Sequence, residues 1–183
     1  MALLKVAKLG NPILRQVAKQ VNLKDLAEQQ AELQGFIDDM IDTMREEDGI
    51  GLAAPQVNRS LQIVVLEYEN NERYPGELSI PVTVLVNPEL SDYGVEKALG
   101  WESCLSLSDF RGLVPRYTSV TLKAYNRKGD KIEKRATGFE AVVLQHEIDH
   151  LHGKVFLDRM VDMTQLAYQE EFEEFWLEKK PVL

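Results

Sequence analysis

Residues 145–150 read Gln-His-Glu-Ile-Asp-His, and this segment predicts the centre of the architecture. An α-helix turns by about 100° per residue, so His146 and His150 lie on one helix face with Glu147 beside them. Two imidazoles at this spacing can chelate one divalent ion, and the adjacent carboxylate can accept a proton from water at that ion. We therefore expect a helix that carries a metal site with its own base.

The third protein ligand has to come from another part of the chain. Catalytic sites of this type have three protein ligands and one open position, and the helix supplies two. The single cysteine of the chain, Cys104, is the leading candidate. The alternative is that both imidazoles are ordinary core histidines, but with three histidines in 183 residues this spacing is improbable by chance.

The composition indicates one globular domain over residues 1–183. Hydrophobic residues make up 44% of the chain, enough for one core, and no Pro-, Gly- or Ser-rich linker divides it. No apolar window is long enough for a membrane span, and residues 1–10 are too short and too interrupted by lysine for a signal peptide. A lone cysteine cannot form an internal disulfide, so we expect a reducing compartment, the cytoplasm.

The formal net charge of −9 bears on possible partners. A surface of this sign repels phosphate backbones, and no cluster of lysine and arginine offsets it. We expect neither direct nucleic-acid binding nor membrane association.

Helices and strands are predicted in an order typical of the α+β class. The expected helices span about 12–18, 26–47, 138–152 and 164–179. The first has Asn11 as N-cap before a proline, and the second is capped by Asp25. Residues 49–56 are expected to form a loop, 61–66 and 82–86 buried strands, and 118–125 with 131–136 a hairpin. The prediction is antiparallel or mixed sheets packed around a central metal-bearing helix, with a long N-terminal helix and a C-terminal helix.

Two further features lie near the predicted ligands. Phe139, Val142 and Val143 precede the histidines at helical spacing, so an apolar stripe leads into the ligand face and can wall a pocket; the alternative is core packing. The segment 49–56 superficially fits a dinucleotide fingerprint, but it follows a long acidic helix instead of a strand. Its glycines permit close approach of a ligand, and Gln56 offers a neutral amide donor.

Three blocks of the chain closely resemble the signature of the peptide deformylases. They read Gly-Ile-Gly-Leu-Ala-Ala-Pro-Gln at 49–56, Glu-Ser-Cys-Leu-Ser at 102–106 and Gln-His-Glu-Ile-Asp-His at 145–150. The similarity continues from 11–15 to 153–158, so it covers most of the chain. One departure is Ser103, which stands where the family usually has glycine.

The resemblance implies removal of the formyl group from the N-terminal formylmethionine of new proteins. Cys104, His146 and His150 would hold one divalent metal, with Fe²⁺ favoured and Zn²⁺, Ni²⁺ or Co²⁺ as substitutes. Glu147 would be the general base, and the Gln56 amide and Leu105 N–H would stabilise the oxyanion. The implied substrate pocket comprises Ile50, Gly51, Glu102, Arg111, Phe139, Val142 and Val143.

Two other functions compete with this interpretation. A His-Glu-x-x-His peptidase of the metzincin type needs a histidine where Phe156 stands, and a glutamate-liganded version would recruit Glu170 or Glu171. A non-catalytic, metal-stabilised peptide-binding domain would need a fourth protein ligand. His152 lies on a different helix face from His150, which disfavours such closure.

The expected partners are N-formylmethionyl nascent peptides, close to the ribosome. Since residues 164–183 are acidic, we expect the C-terminal helix to pack on protein and not to anchor to RNA. The expected location is the bacterial cytoplasm, or an organelle if a transit peptide has been removed.

Overall fold

The computed structural model describes residues 2–69 and 79–177, and two antiparallel sheets organise them. The strands are β1 (Gly51–Ala53), β2 (Ile63–Tyr68), β3 (Ile80–Ser91), β4 (Lys97–Glu102), β5 (Phe110–Tyr117), β6 (Ser119–Tyr125), β7 (Lys131–Thr137) and β8 (Leu166–Tyr168). Five of them form a sheet in the order β1-β2-β3-β6-β7, and three form a sheet in the order β4-β5-β8.

The larger sheet is buried on both faces because β2 is apolar at consecutive positions. Successive side chains of a strand point to opposite faces, so a continuous apolar run needs cover on each side. Val64 and Leu66 enter one core cluster, and Ile63 and Val65 enter another. Each cluster is completed by a different helix.

The helices are α1 (Leu23–Ala27), α2 (Ala31–Glu46), α3 (Gly138–Leu151) and α4 (Gln169–Phe175). Helix α2 covers one face of the larger sheet with an apolar stripe that includes Phe36, Ile37 and Met40. Helix α3 covers the other face through Ala141 and Leu144. Every residue of 143–151 is buried, so α3 is a central helix and its polar side chains have to be satisfied inside the protein.

The smaller sheet brings the cysteine against α3. Strand β4 pairs with β5 along its whole length, and a short 3₁₀ turn, Leu105–Leu107, follows β4 with Cys104 as its N-cap residue. Cys104, Val114 and Phe156 belong to a third core cluster. Pro115 lies beyond the residues of β5 that pair with β8, so its missing N–H breaks no hydrogen bond on that side.

The predicted α+β class and the central position of the helix that carries both histidines are confirmed. The hairpin is also confirmed, as β6 and β7, with Asn126 Oδ1 accepting from the N–H groups of Lys128 and Asp130 at 2.8 and 2.9 Å. All described strand pairs are antiparallel. No helix among residues 2–69 and 79–177 has the length and hydropathy needed to cross a bilayer.

The two N-terminal helix predictions were wrong in extent. Asn11 caps a turn as expected, but the turn is a 3₁₀ helix that ends at Arg15, because Ala18 N–H bonds to Leu151 O in an extended segment. The predicted helix 26–47 is two helices, with Asn22 and not Asp25 capping α1. They are separated at Gln29, whose φ is +52° and whose amide bonds to the 126–130 turn.

The loop and the C-terminal helix were also wrong in part. Residues 51–53 of the expected loop form β1, and Ala54–Val57 forms a 3₁₀ turn. The expected helix 164–179 is instead a 3₁₀ turn, strand β8 and the short α4, because Leu166–Tyr168 pairs with β5. The last two residues of that expected helix lie outside the described residues. Strands β4 and β5 were not predicted, because Gly, Pro and Arg interrupt their apolar pattern.

Candidate metal centre and active site

The structure brings Cys104, His146 and His150 together, as the sequence predicted. One ligand atom from each lies within 4.8 Å of the others, and all three residues are buried. Cys104 Sγ is 3.3 Å from His150 Nε2. Among residues 2–69 and 79–177 these three form the one group of three or more His, Cys, Asp or Glu residues that could hold a metal ion. Neither Glu170 nor Glu171 belongs to it.

The donor set and its surroundings fit a divalent metal ion. A thiolate with two imidazoles suits both zinc and ferrous iron and leaves an open position for substrate or water. Glu147 Oε2 is buried and has no hydrogen-bond partner among the described residues. Because an unpaired buried carboxylate oxygen costs free energy, this atom supports a centre that takes a group from outside the protein.

Gly51 allows the Glu147 carboxylate to reach its position. A Cβ atom at residue 51 would lie 2.4 Å from Glu147 Oε1 and 2.6 Å from Cδ, closer than any real Cβ contact. Strand β1 therefore passes directly over the carboxylate, and any side chain at position 51 would displace it. The need for glycine here is steric and not conformational.

Burial and charge tune the two reactive groups in opposite directions. Burial raises the pKa of the Glu147 carboxyl, although the imidazoles of His146 and His150 oppose this. Burial would also raise the pKa of the Cys104 thiol, but the same imidazoles outweigh it and hold that pKa well below its usual value. The surroundings thus favour ionisation of the thiol and protonation of the carboxyl, relative to their usual behaviour.

Gln56 is held with its amide group against the cysteine. Its Oε1 accepts from Ala53 N–H at 2.8 Å, which directs Nε2 towards Cys104 Sγ at 3.4 Å and Ser106 Oγ at 3.3 Å. Leu105 is the first residue of its 3₁₀ turn, so its N–H has no partner within the turn. The geometry leaves two neutral donors beside the cluster.

The N-terminal segment ties these two donors together. Ala7 N–H donates to Gln56 O at 2.7 Å, and Leu9 N–H donates to Ser106 O at 2.9 Å. Lys8 Nζ donates to Leu105 O at 2.9 Å. The segment therefore bridges the two loops that carry the candidate oxyanion donors.

Three of the predicted pocket residues, Phe139, Val142 and Val143, lie at the start of α3. Ile50 and Phe139 are partly buried and pack against the core cluster that contains Val143, and the Phe139 ring meets Tyr68 at 5.1 Å. Val142 is half-buried beside them, and Arg111 is half-buried on β5, where it donates to Phe110 O. Val143 is buried, so core packing also applies to it.

Glu102, predicted as a pocket residue, makes a direct contact with one of the candidate ligands. His146 Nδ1 donates to Glu102 Oε2 at 2.7 Å, which fixes the ring and leaves Nε2 free to bind a metal ion. Burial would raise the pKa of Glu102, but His146, and then Arg116, which donates to both carboxylate oxygens, hold that pKa below its usual range. Glu102 therefore orients His146.

Sequence reasoning missed Arg116 and Asp149, which join this network. Arg116 Nη1 donates to Asp149 Oδ2 at 2.6 Å, and both side chains are buried. A signal existed, since Gly112, Val114 and Arg116 share the inward face of β5. An arginine at an inward strand position requires a buried partner.

His152 stays outside the cluster, as its helix position predicts. Its Nδ1 donates to Ile148 O at 3.0 Å, and its backbone pairs with Val17. The described residues therefore offer three ligands and no fourth.

Known proteins resemble this chain over nearly its whole length. The sequence model of the polypeptide deformylase family matches residues 3–166. Peptide deformylase 1 of Bordetella pertussis is 43% identical over 165 residues, which cover 90% of this chain and 92% of that protein. The peptide deformylase of Leptospira biflexa is 37% identical over 174 residues.

Solved structures agree in fold. A class I type b peptide deformylase from Acinetobacter baumannii with Met-Ala-Ser bound superposes with a TM-score of 0.83 at 38% identity, over 87% of this chain and 99% of that one. The peptide deformylase from Thermotoga maritima superposes with a TM-score of 0.75 at 31% identity, over 88% of this chain and 100% of that one.

Proposed function

This chain belongs to the polypeptide deformylase family, and we propose that it hydrolyses the formyl group from the N-terminal formylmethionine of newly made proteins, releasing formate. The observation that carries the proposal is the buried Cys104, His146 and His150 cluster with Glu147 beside it. A ligand set with an open position and an adjacent buried base is the arrangement that amide hydrolysis requires.

Cys104 and the two histidines would hold one divalent metal ion. When bound, such an ion lowers the pKa of water and polarises a carbonyl oxygen. Ligand type does not choose between zinc and ferrous iron, so Fe²⁺ is our proposal from the family resemblance, with Zn²⁺, Ni²⁺ and Co²⁺ as substitutes. Glu102 keeps His146 in its ligating orientation.

Glu147 would transfer the protons of the reaction, from the attacking water to the departing amine. Its Oε2 has no donor, and burial raises the pKa of the carboxyl towards the range of an effective base. In the proposed reaction it takes a proton from the attacking water and then delivers it to the departing amine. Gly51 provides the space that brings the carboxylate to this position.

Gln56 Nε2 and the Leu105 N–H stabilise the oxyanion that forms on the formyl group. Both donors are fixed before substrate arrives, Gln56 by Ala53 and Leu105 by its position at the start of a turn. Donors that need no rearrangement contribute most to the rate when negative charge develops.

The methionine side chain would enter the apolar space formed by Ile50, Phe139, Val142 and Val143, with Leu105 and the His146 ring. Support comes from the packing of Ile50 and Phe139 against the cluster of Val143. The similar Acinetobacter baumannii enzyme was solved with a peptide that begins with methionine. Arg111 on β5 would orient the peptide in the groove.

Two alternatives have less support. A glutamate-liganded peptidase would leave Cys104 without a role, whereas its sulfur lies 3.3 Å from a histidine nitrogen. A closed structural metal site needs a fourth ligand, which the described residues do not supply.

The proposed setting follows from the substrate. Formylated nascent chains emerge from ribosomes, and the relatives named above are bacterial proteins. We place this enzyme in the bacterial cytoplasm near the ribosome, with contacts to nascent peptides and none to nucleic acid or membrane.

The test is formate release from formyl-Met-Ala-Ser by anaerobically prepared protein of measured metal content. We expect turnover in proportion to bound Fe²⁺, loss of activity on chelation, and recovery when metal is restored. Acetyl-Met-Ala-Ser and an internal peptide bond serve as control substrates. Cleavage of the internal bond without formate release would support a peptidase, and metal binding without hydrolysis would support a binding domain.

A further inference from the structure

A network of ion pairs, formed by Glu102, Arg116, Asp149 and Arg159, leads away from the metal centre. His146 donates to Glu102, and Arg116 Nε and Nη2 donate to Glu102 Oε1 and Oε2 at 2.7 and 3.0 Å. The remaining group of Arg116, Nη1, donates to Asp149 Oδ2 at 2.6 Å. The side chains of Glu102, Arg116 and Asp149 are all less than 10% exposed, so little water is available to replace a lost partner.

Arg159 completes this ion-pair network by donating to the same aspartate of α3 as Arg116. Its Nε donates to Asp149 Oδ2 at 2.9 Å and its Nη2 to Asp149 Oδ1 at 2.5 Å. Asp149 and Arg159 line a cavity of about 830 Å³ that also includes Gln145 and Ile148, on the helix face turned away from the ligands. The side chain of Arg159 is 46% exposed, so the ion-pair network connects the buried centre to solvent.

Arg159 also balances the charge of the ion-pair network. Glu102 and Asp149 are anionic, and Arg116 alone can neutralise only one of them. Without Arg159, Asp149 Oδ1 would lose its donor and both carboxylates would compete for one guanidinium. The available relief is a shift of Arg116 towards Asp149, which loosens its hold on Glu102. The ring of His146 would then lose its fixed orientation.

We propose that Arg159 is a positioning residue of the metal centre, which acts through Asp149, Arg116 and Glu102 to hold the His146 ring in its ligating orientation. This inference rests on the metal centre of the proposed function. Partners beyond the direct ligands typically change metal affinity by about 10- to 100-fold when they are lost. Arg159 lies at the end of the ion-pair network farthest from His146, so we expect the lower value for the change in metal affinity.

Arg15 provides a matched control for Arg159. Its ion pair with Asp158 lies one residue from Arg159 in sequence, and its side chain is 45% exposed against 46% for Arg159. Asp158 belongs to the same 3₁₀ turn, Phe156–Arg159, but the Arg15 pair does not reach Asp149. Arg15→Gln therefore removes the ion pair of an equally exposed arginine without altering the ion-pair network.

The experiment measures Co²⁺ binding to the full-length protein by competition with a chelator, together with the visible absorption spectrum of the Co²⁺ protein. We expect Arg159→Gln to weaken binding about tenfold and to change the spectrum, because the orientation of an imidazole ligand shapes both. Arg159→Lys, which keeps the charge but not the two-pronged contact, should fall between this variant and wild type. Arg15→Gln should match wild type in both readouts.

The competing outcomes are distinct. If Arg159→Gln matches wild type in affinity and spectrum, or if Arg15→Gln weakens Co²⁺ binding equally, Arg159 is a surface ion-pair residue and the inference fails. A lower melting temperature with unchanged affinity and spectrum also contradicts it. If wild type binds no Co²⁺, the metal centre of the proposed function is wrong, which is a separate failure.

Discussion

Helices α3 and α4 carry similar numbers of charged and aromatic groups into different surroundings. In α3 every residue of 143–151 is buried, including two histidines, a glutamate and an aspartate. In α4 only Phe172 is buried, and its glutamates face solvent. Buried polar groups favour partners, and in α3 His146 and Asp149 find theirs in Glu102 and Arg116, whereas Glu147 Oε2 has none among the described residues.

The difference separates chemistry from stability. Polar side chains of α3 are held within narrow limits, so changing them should alter turnover more than folding. Phe172 of helix α4 and Trp176, the residue that follows this helix, pack on β4, and their rings lie 5.0 and 5.6 Å from that of Trp101. Changing that contact should alter folding more than turnover. Four variants test this contrast, in order of falling effect on turnover.

Glu147→Gln should lower kcat by about a thousandfold, because an amide cannot shuttle a proton. Metal content and melting temperature should stay near wild type, since the ligands are intact. Formate release with metal analysis and thermal melting measures this. Glu140→Gln, in the first turn of α3, is the control; it alters only a partly buried carboxylate that pairs with Lys134, so its turnover should match wild type. Near-normal turnover of Glu147→Gln would remove the general-base role.

Gln56→Ala should lower kcat by roughly a hundredfold with little change in KM, because it deletes an oxyanion donor. Steady-state kinetics on the formylated tripeptide gives the split. Gln62→Ala, whose amide bonds only to Ala18 O at 3.3 Å among the contacts described, serves as control. A change of twofold or less would make Gln56 a structural loop residue.

Val142→Glu should raise KM about tenfold while leaving the melting temperature nearly unchanged, since losing apolar pocket contacts costs about 1–3 kcal/mol of binding. Val142 is half-buried, so the added carboxylate can remain hydrated. Val161→Glu, at a valine 78% exposed, controls for added charge. Equal losses of binding and stability in Val142→Glu would assign the stripe to the core.

Phe172→Ala should change turnover by less than twofold but lower the melting temperature by roughly 5–10 °C, which corresponds to about 2–3 kcal/mol of lost packing. Phe175→Ala, on the same helix but 49% exposed, should cost much less. Calorimetry and kinetics on both variants decide. A large fall in turnover for Phe172→Ala at intact stability would show that α4 reaches the chemistry through Trp101.

The residues that formed the strongest local patterns were predicted well. The period of 138–152, the turn residues of 126–130 and the pairing of Cys104 with two histidines each depend on neighbouring residues or on ligand chemistry. The helix and the turn are determined locally, because helix periodicity and turn geometry act over a few residues, whereas Cys104 was predicted from ligand chemistry, since it is the one cysteine of the sequence.

Where the prediction failed, a distant segment had overridden local preference. The sequence by itself determined the α+β class, the central helix and its candidate ligands. Only the tertiary structure decided that 166–168 is a strand, that Gln29 breaks the long helix, and that Glu102 accepts a hydrogen bond from His146. Each of these depends on pairing or burial between segments far apart in the chain, and such partners leave no period in the local sequence.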